Sequence, residues 1–318
     1  MIEVKNLVKR YGGRNVLDHL SFQVEKGQIL GFLGPNGAGK STTMNIITGY
    51  LSATSGTVMV NGYDVLEEPE KVKESIGYLP EQPPLYPDML VREYLSFVCD
   101  LKGVTKSGKE KMMSKVMRKT GIRDVSGRLI KHLSKGYKQR VGLAAAMVGD
   151  PEILILDEPT VGLDPKQIME IRNLIQELGR HHTILLSSHI MQEVDAVCNQ
   201  ILIINEGKLI AADSPEEIAR RAEGKNRITL QIKGAKEQIQ RGLESIEHIL
   251  DFKILKTGTA GICQAEISSL PEYDVREEIF YVMAEMRCPI LEMASREPTL
   301  EEAFISLTGK GENYAGNL

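Results

Sequence analysis

The sequence predicts an α/β domain built on a largely parallel sheet, followed by a small α+β domain, and three observations carry that prediction. Over residues 1 to about 220, short apolar runs alternate with amphipathic stretches. Gly34-Pro35-Asn36-Gly37-Ala38-Gly39-Lys40-Ser41 matches the phosphate-loop pattern G-x-x-x-x-G-K-[ST] directly after an apolar run. From Asn226 onward the pattern becomes strand, helix, two strands, helix, strand, the order of a ferredoxin-like module.

At 318 residues the chain fits one large domain and one smaller one. With 42% hydrophobic and 26% charged residues its composition is that of an ordinary globular protein. A formal net charge of -4 gives no electrostatic case for nucleic acid as the principal ligand. Cys99, Cys198, Cys263 and Cys288 are scattered without a Cys-x-x-Cys pair, so reduced thiols in the cytosol are expected. The N-terminus lacks an apolar signal core, and no run approaches the roughly 18 apolar residues that span a bilayer. Any membrane role is therefore expected to work through a partner.

Taken in order, the buried strands are expected at Gln28 to Leu33, Ile153 to Asp157, Thr183 to Ser187 and Gln200 to Ile204. Each of the first three is followed by residues able to do chemistry, as happens where ligands bind beyond the carboxyl ends of parallel strands. Between Pro80 and Asp150 the text turns helical, including Val91 to Lys102 and Lys109 to Thr120, so a helical subdomain is expected at about 83–150. Gly207-Lys208 reads as a hairpin turn, and Pro215 after Ser214 opens a helix with acidic residues in its first turn. The charged stretch Arg220 to Lys225 is read as the boundary, giving domains 1–224 and 225–310 and a disordered tail 311–318. Strands Arg227 to Ile232, Phe252 to Leu255, Ile262 to Ile267 and Pro289 to Met293 alternate with helices Lys236 to Glu247 and Val275 to Met286. A last helix, Thr299 to Leu307, stops at Gly309, with Thr299 and Glu302 in capping-box spacing.

In the phosphate loop, glycines let the backbone N–H groups of Asn36, Gly37, Ala38 and Gly39 turn inward around a phosphate. Lys40 supplies a point charge, the Ser41 hydroxyl can ligate Mg²⁺, and Thr42 follows in the helix that opens there. The strand ending in Asp157-Glu158 delivers two carboxylates to the same end of the sheet. Asp157 suits a Mg²⁺ held through water, and Glu158 suits the polarisation of an attacking water. On its own such a pair reads as a solvated helix cap; beside a phosphate loop it reads as a site.

Leu133-Ser134-Lys135-Gly136-Tyr137-Lys138-Gln139-Arg140, shortly before that strand, resembles the signature motif of ABC-type ATPases. The remaining motifs of the family follow in their order, and the resemblance covers essentially residues 1 to 220. It implies a P-loop NTPase of ABC type with a helical subdomain, an ATPase that uses ATP and Mg²⁺. Tyr11 looks like the residue on which adenine stacks, although before Gly12-Gly13 it also reads as a turn residue. Gln82, in a proline-rich loop, resembles the glutamine that joins the metal site to the helical subdomain. Asp164, in Gly162-Leu163-Asp164, looks like part of the D-loop, and His189 resembles the switch histidine, whereas alone it would read as a helix N-terminal residue. His181 and His182 have no such context and are expected in solvent.

In this family Ser134 and Gly136 would face the ATP of a second subunit, so that ATP closes a homodimer or a pair of ATPase subunits. The helix expected to begin near Lys138 would aim its positive end at that phosphate. Two residues depart from the usual signature: Lys135 stands where glycine is usual, adding a cation, and Tyr137 where glutamine is common, removing an amide. The segment Glu297 to Gly309 looks like the end of ATPase subunits of ABC-2-type exporters, among them antibiotic-resistance, sodium-efflux and gliding-motility-like systems. That resemblance implies a separately encoded membrane permease as partner, a cytoplasmic location on the inner face of the cell membrane through that permease, and no nucleic acid. The alternative is an ABC ATPase acting on ribosomes, DNA or cofactor assembly, for which one ATPase domain and a short span between Gln82 and the signature are unusual.

Overall fold

The computed structural model describes residues 1–223, 226–256, 261–270, 272–296 and 299–309. Two compact units follow one another, Met1–Pro215 and Glu216–Leu318. The division falls at the start of a helix rather than in the charged stretch after it.

The first unit runs β1 (Ile2–Tyr11), β2 (Arg14–Val24), β3 (Ile29–Leu33), α1 (Lys40–Ile47), β4 (Ser55–Val60), β5 (Tyr63–Asp64), α2 (Pro69–Ser75) and β6 (Ile76–Leu79). It continues through α3 (Val91–Leu101), α4 (Lys106–Lys119), α5 (Lys135–Ala146), β7 (Ile153–Asp157), α6 (Pro165–Gly179), β8 (Thr183–Ser188), α7 (Met191–Val197), β9 (Gln200–Asn205) and β10 (Lys208–Asp213). One sheet has the order β10-β9-β3-β8-β7-β6, parallel except for the β10 edge. Every residue of β3, β7 and β8 is buried, as expected of strands covered on both faces. A second, antiparallel sheet has the order β2-β1-β4-β5. Its Ile2, Leu7 and Leu20 share a core with Leu30 and Phe32 of β3, Met44 and Ile47 of α1, and Leu185 of β8.

The β9–β10 hairpin turns through Glu206 and Gly207, at φ of 50° and 79°, one residue earlier than the sequence suggested. The reason is tertiary. Gly207 N–H donates to the Ala38 carbonyl at 3.0 Å, its carbonyl accepts from Asp18 N–H at 3.0 Å, and a Cβ there would stand 2.4 Å from the Val16 carbonyl. Glycine is needed where the turn meets the phosphate loop.

Within the helical segment, Val91, Leu95 and Cys99 make one buried stripe of α3. α4 starts at Lys106, earlier than expected, because the Thr105 hydroxyl caps it by accepting from Gly108 N–H at 3.3 Å. α5 also starts early, at Lys135 rather than near Lys138, with Ser134 as its N-cap accepting from Tyr137 N–H at 3.4 Å.

The second unit comprises α8 (Pro215–Glu223, whose first residue closes the first unit), β11 (Asn226–Lys233), α9 (Lys236–Glu244), β12 (Ile249–Lys256), β13 (Ile262–Ser269), α10 (Arg276–Glu285), β14 (Ile290–Arg296) and α11 (Leu300–Thr308). Its antiparallel sheet has the order β12-β13-β11-β14, the ferredoxin-like arrangement expected from the sequence. Ile239 and Leu243 of α9 and Ile279 and Met283 of α10 pack on Ile228, Leu230, Ala265 and Ile267 of the sheet. The capping box at α11 is present: Glu302 N–H donates to Thr299 Oγ1 at 3.3 Å and Thr299 N–H to Glu302 Oε2 at 3.2 Å. The tail 311–318 lies outside the described residues.

Candidate active site

The phosphate loop leaves the carboxyl end of β3 with Gly37 and Gly39 at φ of 81° and 109°, conformations that favour glycine. Ala38 turns inward: it is buried, and its N–H donates to the Pro35 carbonyl at 3.1 Å. A Cβ on Gly34 would stand 2.5 Å from the Ile204 carbonyl, so this end of the loop is packed directly on β9. Asn36, Gly37, Gly39, Lys40, Ser41 and Thr42 line a cavity of about 300 Å³ together with Glu81, Glu158 and His189. Lys40 is buried; its Nζ donates to the Gly34 carbonyl at 2.7 Å and lies 3.9 Å from Glu158 Oε1. Burial lowers the pKa of Lys40, against the opposing pull of Glu158, Asp157 and Glu81.

Asp157 and Glu158 leave the end of β7 beside the end of β8. Ser187 Oγ donates to Asp157 Oδ1 at 2.5 Å and accepts from Glu158 N–H at 3.0 Å, while the Ser187 carbonyl takes the same N–H at 3.2 Å. These bonds hold Glu158 at a φ of 49°, a left-handed conformation unusual for a side-chain-bearing residue. Glu158 Oε2 lies 2.8 Å from His189 Nδ1. That hydrogen bond raises the pKa of His189, and burial opposes it. Ser187 and Glu81 were not singled out in the sequence; their only signal was adjacency to a strand end.

Several expected residues stand elsewhere. Tyr11 is half-exposed at the end of β1 with the Lys9 ammonium 5.1 Å from its ring centroid, and it does not line the cavity. Gln82 is exposed, and its neighbour Glu81 faces the cavity instead. Ser134, Gly136 and Asp164 also lie outside the cavity but close to one another. Gly136 is buried against the Gln167 side chain, where a Cβ would stand 2.4 Å from its Oε1, and Asp164 caps α6 by accepting from Gln167 N–H at 2.9 Å. The Lys135 side chain crosses Gly162, its Nζ 2.0 Å from where a Cβ would sit. Tyr137 turns away, its hydroxyl donating to Asp124 Oδ2 at 2.9 Å. His182, expected in solvent, is buried, with Nδ1 2.7 Å from the Pro151 carbonyl.

Among the described residues no three or more His, Cys, Asp or Glu side chains are grouped as a metal site. The donors present, the Ser41 hydroxyl and the buried Asp157 carboxylate, are hard oxygens. They fit Mg²⁺, which keeps most of its coordination for phosphate and water and takes one or two protein ligands.

Known proteins are similar to this chain. The family profile described as ABC transporter matches residues 17–161. The linearmycin resistance ATP-binding protein LnrL of Bacillus subtilis (strain 168) is 32% identical over 98% of this chain and 99% of its own length. The bacitracin transport ATP-binding protein BcrA of Bacillus licheniformis is 32% identical over 98% of each chain. A solved structure of the ATP-binding subunit of an ABC transporter, 32% identical, superposes with a TM-score of 0.64 over 70% of this chain and 92% of its own. The chain belongs to the ABC transporter family, as an ATP-binding subunit that hydrolyses ATP.

Proposed function

We propose that the chain powers a separately encoded membrane permease that exports antimicrobial compounds, and that it does so by closing as a dimer on ATP. The observation that carries the ATP-hydrolysing part of this reading is the convergence of Lys40, Glu158 and His189 on one cavity where β3, β7 and β8 end. In it, the amides of the loop from Asn36 to Gly39 and the Lys40 ammonium hold the phosphates of ATP. Ser41 and Asp157 would hold Mg²⁺, which would neutralise phosphate charge there, and Gln82, exposed beside Glu81, would be a further ligand. Glu158 takes a proton from water as the water oxygen bonds to the γ-phosphorus; the bond from that phosphorus to the bridging oxygen breaks, and ADP leaves with that electron pair. His189 keeps the Glu158 carboxylate aimed at the water.

Ser134, Gly136 and Asp164 then serve the ATP of the second subunit, and Tyr11 stacks on adenine. The names of LnrL and BcrA, tied to linearmycin resistance and bacitracin transport, support the substrate class. No helix among the described residues is long and apolar enough to cross a membrane, which fits attachment at the inner membrane face through the permease. Residues 226 to 310 act as an accessory domain for dimer contact or regulation.

Glu158→Gln is expected to keep ATP binding, lower turnover by about 10²-fold or more, and trap a dimer on gel filtration. Wild-type hydrolysis in that variant refutes the base. Ser134→Arg is expected to abolish the ATP-induced dimer. Affinity capture from detergent-solubilised membranes should recover a polytopic protein; recovery of ribosomes in its place overturns the exporter reading.

A further inference from the structure

A buried acid stands outside the lining of the cavity and takes no part in the hydrolysis step. Glu193, on α7, is 3% exposed. Its Oε2 accepts from Thr160 Oγ1 at 2.5 Å and from Ser188 Oγ at 3.0 Å, and its Oε1 has no hydrogen-bond partner among the described residues. A buried carboxylate oxygen without a partner is costly, and an apolar residue of the same size would avoid that cost. The two hydroxyls it gathers belong to particular neighbours. Thr160 follows Glu158 by two residues after β7, and Ser188 precedes His189 at the end of β8. Ser188 Oγ also accepts from Ile190 N–H at 3.0 Å, so the chain on both sides of His189 is tied to the same hydroxyl.

We infer that Glu193 is a positioning residue for ATP hydrolysis: by binding Thr160 and Ser188 at once, it fixes the separation of the two strand ends and so the Glu158–His189 contact. Ser187 holds the left-handed Glu158 from one side, through Asp157 and the Glu158 N–H. The Thr160–Glu193 bond holds the same short segment from the other side. Without it the strain at Glu158 relaxes by moving the residues after it, and the carboxylate leaves His189. The inference rests on the assignment of Glu158 as the base; Glu193 itself touches neither ATP nor water in this reading.

Steady-state hydrolysis and equilibrium ATP binding by the full-length chain test it, with Glu193→Ala, Glu193→Gln and Thr160→Val compared. The Ala and Val variants are expected to lose about 10-fold or more in kcat, with the Kd for ATP within about 3-fold of wild type, because misplacement of a reacting group lowers rate without removing phosphate contacts. Glu193→Gln keeps an acceptor oxygen for both hydroxyls and should recover most of the rate. Wild-type kcat in both the Ala and Val variants overturns the inference. So does a parallel fall of kcat, ATP affinity and melting temperature that Gln does not rescue, which marks a merely structural acid. Should Glu193→Ala not fold, Thr160→Val and Glu193→Gln decide the question by the same readouts. Turnover that survives Glu158→Gln sinks the base; turnover lost in that variant but intact in Glu193→Ala and Thr160→Val sinks only the role of Glu193.

Discussion

Glu158 is held at a φ of 49°, which costs a side-chain-bearing residue about 1–2 kcal/mol, and Ser187 supplies the bonds that keep it there. Ser187→Ala leaves an Asp157 oxygen without its donor and should destabilise the chain by about 1–3 kcal/mol in a urea titration. His189 gives a pH signature. Its pKa is raised in the folded chain by Glu158, so the pair's stabilisation is full below the ordinary histidine value of about 6.5 and is lost as pH rises through the raised folded value. Melting of wild type and His189→Gln from acid to alkaline pH should therefore show wild type ahead at low pH and the gap closing upward; a gap that widens refutes the pair. At this scale the sequence was informative only where a residue sits in a spaced motif. Lys40, Ser41 and Glu158, which the structure brings to one cavity, stand in such motifs; Ser187 reads as one more strand residue, and nothing in the sequence marks Glu193. His182 was misread because a lone histidine carries no sign of the carbonyl it meets.

At the scale of elements, strands announced themselves by continuous apolar runs. Ile153 to Asp157 stands between Pro151 and Pro159, and its bounds could be read directly. Helix starts were harder, because caps act through side-chain bonds that a period does not reveal. Gly108 and Gly136 look like breakers, yet each lies in the first turn of a helix capped from upstream by Thr105 or Ser134. The contact of α5 with α6 at Gly136 and Gln167 has a testable consequence. Gly136→Ala should weaken ATP-induced dimerisation on gel filtration, since the new methyl displaces the end of the Gln167 side chain on the face given to the second subunit. Gln167→Ala in the same chain should restore part of it; no restoration places the fault elsewhere. For α11, Thr299→Ala should cost about 1 kcal/mol of stability, read in thermal unfolding.

For the whole molecule, the order of secondary structure was legible because period and motif agree along most of the chain. The break after Pro215 carries no sign of its own in the sequence, since every charged residue of α8 follows it. Each unit has its own hydrophobic core, so a chain ending at residue 224 is expected to fold and to bind ATP with an affinity within a few-fold of the full protein by calorimetry. Loss of binding in that fragment would mean that the second unit shapes the site.

The bond from Gly207 to Ala38 also sets a schedule. β3 and the phosphate loop leave the ribosome early, but β8, β9 and the hairpin that steadies the loop are made much later. A nascent chain therefore carries the nucleotide motif well before it can grip a nucleotide. Stalled chains should acquire ATP affinity only after Asp213 has cleared the exit tunnel, so the energy source is engaged by finished cassettes and not by those still being built.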